Sequence, residues 1–150
     1  MKFAIEIGSI IIMSMFYIGV GVKHFTNPMW FVKIVPPLLP YKLSLVYISG
    51  FFEILFGIML LFPITRYMAA WGLILLLIAV FPANIYLAMT NGAALNTTPL
   101  IAWGRLPFQF LFIAIAYWHS TVWISVTHLI WINLISCIRN ILYHLFFYYL

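Results

Sequence analysis

One carboxylate, Glu53, stands in the middle of an apolar run and is the first candidate for chemistry in this chain. It is the eleventh residue of the twenty-residue segment 43–62, which is otherwise almost wholly apolar. The chain has one other acid, Glu6, and no aspartate. A charged side chain at the centre of a bilayer costs about 2.5–3.5 kcal/mol on insertion scales, so such residues usually face a partner or a polar cavity inside a helix bundle. We therefore look for function around Glu53.

Four other polar side chains are predicted to converge on Glu53. If the apolar spans alternate in direction, His24 at the end of the first and Asn84 near the end of the third lie on one side of the membrane. Arg105 and Gln109 open the fourth span on that side and, four residues apart, share a helix face. Glu53 lies about ten residues from the same side, a depth of roughly 15 Å. The sequence thus predicts one polar cleft that opens to a single face.

This predicted cleft is open to two interpretations. In the first, Arg105 and Gln109 hydrogen-bond a carbonyl oxygen of a quinone-like molecule, and Glu53 or His24 relays a proton. In the second, Glu53 is a structural anchor that pairs with Arg105 or is hydrogen-bonded in its neutral form. The pattern of residue types alone does not choose between them.

The residues near the ends of the spans also have structural interpretations. His24 lies near the membrane interface, where a histidine commonly contacts a headgroup or the backbone. Asn84 follows Pro82 closely and is placed to satisfy the carbonyl group that this proline leaves free. Arg66 and the lysines are expected to anchor the edges of the spans.

No sequence motif indicates catalysis or metal binding. The chain lacks a phosphate-binding glycine loop, a nucleophile elbow and metal-ligand spacing; His128 and His144 are sixteen residues apart, the wrong offset for a shared metal face. The single Cys137 excludes an intramolecular disulfide and a cysteine-rich metal or iron–sulfur site. We therefore expect no metal and no catalysis by this chain alone.

The composition is that of an integral membrane protein. The chain has 150 residues, of which 67% are hydrophobic and 6% charged, and its mean hydropathy is +1.16. Soluble domains average about 45–50% apolar and about 25% charged residues. The net charge of +5 comes from cations scattered singly between apolar runs, a pattern that suits the flanks of membrane spans and not a nucleic-acid interface. The expected partner is the lipid bilayer.

Four apolar runs are long enough to cross a hydrocarbon core, which takes about 20 helical residues. They are predicted at residues 3–22, 43–62, 67–89 and from about 106 to 119–123. The segment 23–42 has four prolines and three lysines and predicts a turn and a short interfacial helix at 29–35. Gly50, Glu53 and Gly57 fall on one side of the second span, so Glu53 should point into the bundle.

The predicted fold class is therefore all-α, an integral membrane four-helix bundle formed by residues 1–119. Residues 120–150 form an apolar tail without glycine or proline, in which Ser136, Asn140 and His144 recur every four residues. The tail predicts either a fifth C-terminal span or an amphipathic helix lying on the membrane. A weakly marked turn is expected before it, near residues 119–121.

Five motifs occur in the order found in the DoxX-like family of small four-span membrane proteins, which the chain resembles over residues 3 to about 119. They are His-Phe after the first span, Pro-Pro before the second, Ser-Gly-x-x-Glu within it, Phe-Pro-Ala-Asn-x-Tyr in the third and Arg-x-Pro-x-Gln at the fourth. The matching family positions are His24, Pro36, Pro37, Gly50, Glu53, Asn84, Arg105 and Gln109. The tail and the turn that holds only Arg66 depart from the family pattern.

The resemblance implies a multi-pass protein of the bacterial inner membrane. Family members have been linked to quinone-coupled thiosulfate oxidation and to oxidative-stress enzymes, so the leading expectation is a non-catalytic membrane subunit or partner of a redox system. A small transporter with Glu53 as its coupling site is the first alternative, and it needs an oligomer to enclose a cavity. The second is a structural or assembly protein.

Overall fold

The chain folds into an all-α structure, seen in a computed structural model that describes the backbone of residues 2–148 and the side chains of residues 4–121, Ser136 and Arg139. No strand occurs in residues 2–148. The helices are α1 (Lys2–Thr26), α2 (Pro28–Val32), α3 (Lys42–Leu61), α4 (Arg66–Met89) and α5 (Pro99–Tyr148), with a single 3-10 turn at Ala93–Leu95.

The prediction of four helices of membrane-spanning length is confirmed. Four helical segments are long and apolar enough to cross a membrane: Ala4–Thr26, Lys42–Leu61, Arg66–Met89 and Pro99–Thr121. Large apolar side chains such as Met15, Leu75 and Phe108 are exposed on their outer faces. An apolar outer surface around a packed interior suits lipid as the surrounding solvent.

Glycines bring α1 and α3 into close antiparallel contact. A methyl group added at Gly50 would lie 2.4 Å from Cβ of His24, and one at Gly21 would lie 2.7 Å from the carbonyl oxygen of Gly50. A methyl group at Gly57 would lie 3.2 Å from the carbonyl oxygen of Ser14. Side chains with a Cβ would hold the two backbones apart, so these glycines set the register that positions Glu53.

A second packing layer joins α4 to α3 and α5. Ala69, Ala70 and Leu73 near the start of α4 are fully buried. The largest buried cluster takes residues from all four spans: Met13, Tyr17, Leu60, Ala69, Ala70, Leu73, Ile74, Leu77 and Ala116. Small residues in α4 let its neighbours approach, so the four spans share one core.

The segment between α1 and α3 covers one end of the bundle. Phe31 and Val35 pack against Val46 of α3, and Ile34 packs against Leu87 of α4 and Ala102 of α5. The short helix predicted at 29–35 is confirmed in part, since α2 ends at Val32 and the chain continues only as turns. This segment, residues 27–41, is called the cap below. It contacts α3 on one side and α4 and α5 on the other, at the end of the bundle where His24 lies.

The fourth span begins earlier and the helix runs further than the sequence suggested. α5 starts at Pro99, where the Thr98 hydroxyl accepts a hydrogen bond from the N–H group of Ile101 at 3.4 Å; proline suits such a first helical turn. The expected turn near residues 119–121 is not formed, and residues 120–148 continue α5 without a break. The side chains of Asn140 and His144 in the predicted polar stripe lie outside the described residues.

Candidate functional site

Glu53 lies inside the bundle next to His24. It is 8% exposed and His24 is 6% exposed, and the Oε2 atom of Glu53 is 3.2 Å from Nδ1 of His24. The prediction that Glu53 points inward is confirmed by the burial of Gly50, Glu53 and Gly57 on one side of α3. The α1–α3 contact thus encloses a carboxyl group and an imidazole.

The proton on His24 Nδ1 serves a backbone oxygen. Nδ1 lies 2.9 Å from the carbonyl oxygen of Val20, which can only accept, so Nδ1 is the donor. Glu53 Oε2 lies near the same nitrogen, but it is buried and has no hydrogen-bond partner. This N–H group points at Val20 and not at Glu53, so the carboxyl oxygen is left unsatisfied. A buried oxygen in this state is costly.

The cap and Gly50 fix the position of the His24 ring. The ring stacks on Phe31, with centroids 3.6 Å apart and planes at 21°. Its Cβ lies against the bare backbone of Gly50, where a side chain would collide with it. Three elements, α1, the cap and α3, therefore hold one imidazole beside one carboxyl group.

Tyr17 adds a third polar group at the level of Glu53. It is 3% exposed, and its hydroxyl has no hydrogen-bond partner. The Glu53 carboxylate is close enough to act on this hydroxyl electrostatically. The antiparallel register of α1 and α3 places the two residues at the same depth, so an acid, a phenol and an imidazole share this part of the interior.

Asn84, Arg105 and Gln109 form a separate group between α4 and α5. Arg105 Nε donates to Asn84 Oδ1 at 3.1 Å, and Asn84 Nδ2 donates to Gln109 Oε1 at 2.6 Å. Gln109 Nε2 donates in turn to the backbone oxygen of Leu77. Both ends of the Gln109 amide are therefore used within the protein.

This group does not act as a substitute for the N–H group that Pro82 lacks. The carbonyl that loses its helical donor is four residues before the proline, at Ile78, whereas the side-chain donor reaches Leu77. Asn84 binds Gln109 and Arg105 instead of a freed carbonyl. Its role is to connect α4 to α5.

The structure thus arranges the five predicted residues in two groups. His24 and Glu53 meet between α1 and α3, and no hydrogen bond or ion pair among residues 4–121 joins them to Asn84, Arg105 or Gln109. The predicted pairing of Glu53 with Arg105 is wrong, because the helix that packs most closely on α3 is α1, which brings His24 to the carboxylate. The cap is the element that contacts both groups.

A polar group at the opposite end of the bundle was missed from sequence. His119 is fully buried, and its Nε2 lies 3.1 Å from the hydroxyl oxygen of Ser9. The Nη1 atom of Arg66 lies 3.8 Å from Oε1 of Glu6. The positive charge of Arg66 also acts on the His119 imidazole. Alternating spans place the start of α1, the start of α4 and the end of the fourth span on one side. The alternating direction of the spans, applied to this end of the bundle, would have predicted this group.

The comparisons with known proteins give a family but no activity. The model of a domain of unknown function, DUF8561, matches residues 13–120. The chain belongs to the DUF8561 family. Neither the curated proteins nor the solved structures contain a significant match to the chain. The DUF8561 match covers His24, Glu53, Asn84, Arg105 and Gln109, and it leaves Glu6 and Ser9 outside.

The region that matches DUF8561 contains two buried side chains, a carboxyl group and an imidazole, that are able to exchange protons. Among the described residues, no three histidine, cysteine or acidic side chains are grouped so that they could hold a metal ion. The buried pair instead combines a carboxyl group, which holds or releases a proton, with an imidazole, the side chain best suited to exchanging protons near neutral pH. Holding and exchanging a proton is what this geometry can do.

Proposed function

We propose that this chain is a non-catalytic subunit of a bacterial inner-membrane redox system, in which the His24–Glu53 pair exchanges a proton. The carrying observation is that Glu53 Oε2 is buried, lies 3.2 Å from His24 Nδ1 and has no hydrogen-bond partner. A buried carboxylate that takes up a proton becomes neutral, which removes the cost of burying its charge. The pair is therefore suited to taking up a proton and releasing it.

The redox part of the proposal rests on the resemblance to the DoxX-like family and on chemistry. Quinone reduction and oxidative-stress reactions consume or release protons with their electrons, and a buried carboxyl–imidazole pair can supply them. A quinone-like ligand and a membrane-associated redox enzyme are the proposed partners. Because Gln109 is occupied by Asn84 and Leu77, the guanidinium of Arg105 is the stronger candidate for a ligand's carbonyl oxygen.

Proton exchange at Glu53 is tested by infrared spectroscopy on the protein in lipid nanodiscs. A protonated carboxyl group has a C=O stretching band that a carboxylate lacks. We expect a band that grows as the pH is lowered, shifts in deuterated buffer and is absent from Glu53→Gln. Glu6→Gln is the matched control and should keep it. No pH-dependent band assignable to Glu53 would contradict the proposal.

The partner is tested by purification from native membranes. Wild type and Glu53→Gln are isolated in mild detergent, and co-purifying quinones and proteins are identified by mass spectrometry. We expect a quinone or a redox enzyme that is enriched with wild type and reduced in the variant. Bulk lipid alone in both samples, with unchanged folding, would overturn the redox assignment.

A structural lock is the second candidate, and a specific observation favours it. His24 already donates to Val20 and stacks on Phe31, so the pair also fastens α1, α3 and the cap together. In that role the carboxyl group would be needed for stability. A large loss of thermal stability in Glu53→Gln, together with the absence of a pH-dependent infrared band in wild type, would select the lock.

A further inference from the structure

Four buried side-chain atoms have no hydrogen-bond partner among the described residues, and they lie along the interior. They are Ser14 Oγ, Tyr17 OH, Glu53 Oε2 and His119 Nδ1. Each belongs to a residue that is at most 8% exposed. Buried polar groups without a partner are rare in native proteins and call for a physical explanation. Here all four belong to three helices that share one core.

These atoms follow the inner face of α1 from one end to the other. Near the cap, Glu53 lies beside His24 and acts electrostatically on Tyr17. Ser14 comes one turn further along α1, where its backbone faces the bare backbone of Gly57. Beyond it, Ser9 contacts His119 at 3.1 Å.

The row of groups is about as long as a membrane is thick. Eighteen residues separate Glu6 from His24, which is about 27 Å of helix at 1.5 Å per residue. The hydrocarbon core of a bilayer is about 30 Å thick. Glu6 and Ser9 are half-buried, so the row reaches the surface at the end away from the cap.

We propose that this row conducts protons between the two faces of the membrane, with internal water bridging its members. The proposal rests on the proton exchange proposed for His24–Glu53 and extends it to a path. From Glu6 to Tyr17, consecutive members on α1 are three to five residues apart, or about 4.5–7.5 Å. The longer step from Tyr17 to His24 is filled by Glu53 of α3, which lies beside His24. Gaps of this size are crossed by one or two waters, and each unpaired atom supplies one of the partners that a buried water needs.

One passage moves one proton and changes nothing else. His24 takes up a proton at Nε2 and releases the one on Nδ1 to Oε2 of Glu53, 3.2 Å away, and Glu53 gives it up toward Tyr17. Each hydroxyl and each water takes one proton and releases another. His119 takes a proton on Nδ1 and releases one from Nε2 toward Ser9, and reorientation of the imidazole and the hydroxyls then resets the row. No oxidant or reductant is required.

Arg66 lies at the far end of this row and carries a positive charge that opposes the passage of a cation. Glu6 lies 3.8 Å from it and offsets part of that charge. The carboxylate of Glu6 is also the outermost group able to receive the proton from Ser9. The titratable groups that face the path are therefore His24, Glu53, Tyr17, His119, Arg66 and Glu6.

The path is tested by proton flux into phosphatidylcholine–phosphatidylglycerol vesicles that contain a pH-sensitive dye. A potassium gradient with valinomycin supplies the driving voltage. We expect flux above that of protein-free vesicles, and a decrease of about tenfold in Ser14→Ala and in Tyr17→Phe, the effect of losing one hydrogen bond from the rate-limiting stretch.

Matched variants separate this path from general perturbation. Ser49→Ala removes a hydroxyl that donates only to its own helix at Val46, and Tyr117→Phe alters a tyrosine that is 54% exposed. Both should conduct like wild type. Thermal unfolding establishes that each variant is folded, and Ser14→Ala, the smaller change, carries the test if Tyr17→Phe does not fold.

Two results would overturn the path. One is the absence of flux above protein-free vesicles with folded wild type. The other is flux that Ser14→Ala and Tyr17→Phe leave unchanged. If the infrared band of Glu53 still responds to pH in either case, the proposed proton exchange stands without a path, so that the two failures are distinguishable.

Discussion

The two helix pairs of this bundle treat their buried polar groups in opposite ways. Between α4 and α5, Arg105, Asn84 and Gln109 form a continuous chain of hydrogen bonds that ends on a backbone oxygen. Between α1 and α3, Glu53 and Tyr17 are buried, as Gln109 is, yet an oxygen of each has no partner. The first interface is satisfied and the second is not.

The difference indicates where stability and function reside. A satisfied polar network inside a membrane protein holds helices together, because the alternative is an unpaired polar group in hydrocarbon. Unpaired groups lower stability and are retained where they serve another purpose. Under the proposed function, α4–α5 is the scaffold and α1–α3 carries the proton chemistry, and the following changes test that division.

The largest effect is expected from Gly50→Ala. The added methyl group would lie 2.4 Å from Cβ of His24 and 3.1 Å from the carbonyl oxygen of Gly21. Overpacking of this kind typically costs about 1–3 kcal/mol, and here it also separates His24 from Glu53. Thermal unfolding in detergent measures the loss. Gly19→Ala on α1, where a methyl group meets nothing within 4 Å, should leave Tm unchanged or higher.

Gln109→Ala is expected to have the next largest effect. It removes two side-chain hydrogen bonds, one from Asn84 and one to Leu77. Hydrogen bonds between membrane helices average about 0.6 kcal/mol each, so the loss is about 1 kcal/mol. Unfolding in detergent should show a lower Tm with the infrared band of Glu53 intact. A loss of that band would mean that the two interfaces are not separate.

Glu53→Gln should have the opposite effect to Gln109→Ala, since it should abolish proton exchange without lowering Tm. The amide has the shape of the carboxyl group without its charge, so the cost of burying a carboxylate is removed. We expect an unchanged or higher Tm together with loss of proton exchange. A marked decrease in Tm would contradict the division of roles and would favour the structural lock.

The smallest effect is expected from Glu6→Gln at the edge of the bundle. The Glu6–Arg66 contact is 3.8 Å long and its side chains are 16–17% exposed, and pairs near a surface contribute about 0–1 kcal/mol. The Tm difference from wild type should shrink as salt is added, because salt screens such pairs. A large decrease independent of salt would show that the pair is buried within the membrane.

The fold class could be predicted from the sequence, because the fold class depends on the length and hydropathy of single segments. Each of the four spans has its own apolar run, and the Gly50–Glu53–Gly57 spacing correctly turned the carboxylate inward. The start of α5 was misplaced because residues 99–104 were too short an apolar run to suggest a helix, although Pro99 is a typical first residue.

Pairing within the site required tertiary information. Alternating spans place His24, Glu53, Asn84, Arg105 and Gln109 toward one side, but they do not say which helices are neighbours. That choice depends on Gly21 and Gly50, whose missing side chains bring α1 onto α3. Arginine is the usual ion-pair partner of an acid, so the sequence offered Arg105 as one possible partner of Glu53, whereas the structure has His24 there.

The contact of Gly21 with Gly50 also constrains how this sequence can change over time. A methyl group at Gly21 would collide with the carbonyl oxygen of Gly50, and one at Gly50 would collide with Cβ of His24. Either substitution separates the same two helices, so the second adds little. The two positions are therefore expected to covary, so that relatives with one glycine also have the other. Relatives that lack both glycines are expected to lack the acid at position 53 as well, because the wider helix separation moves the side chain at position 24 away from it.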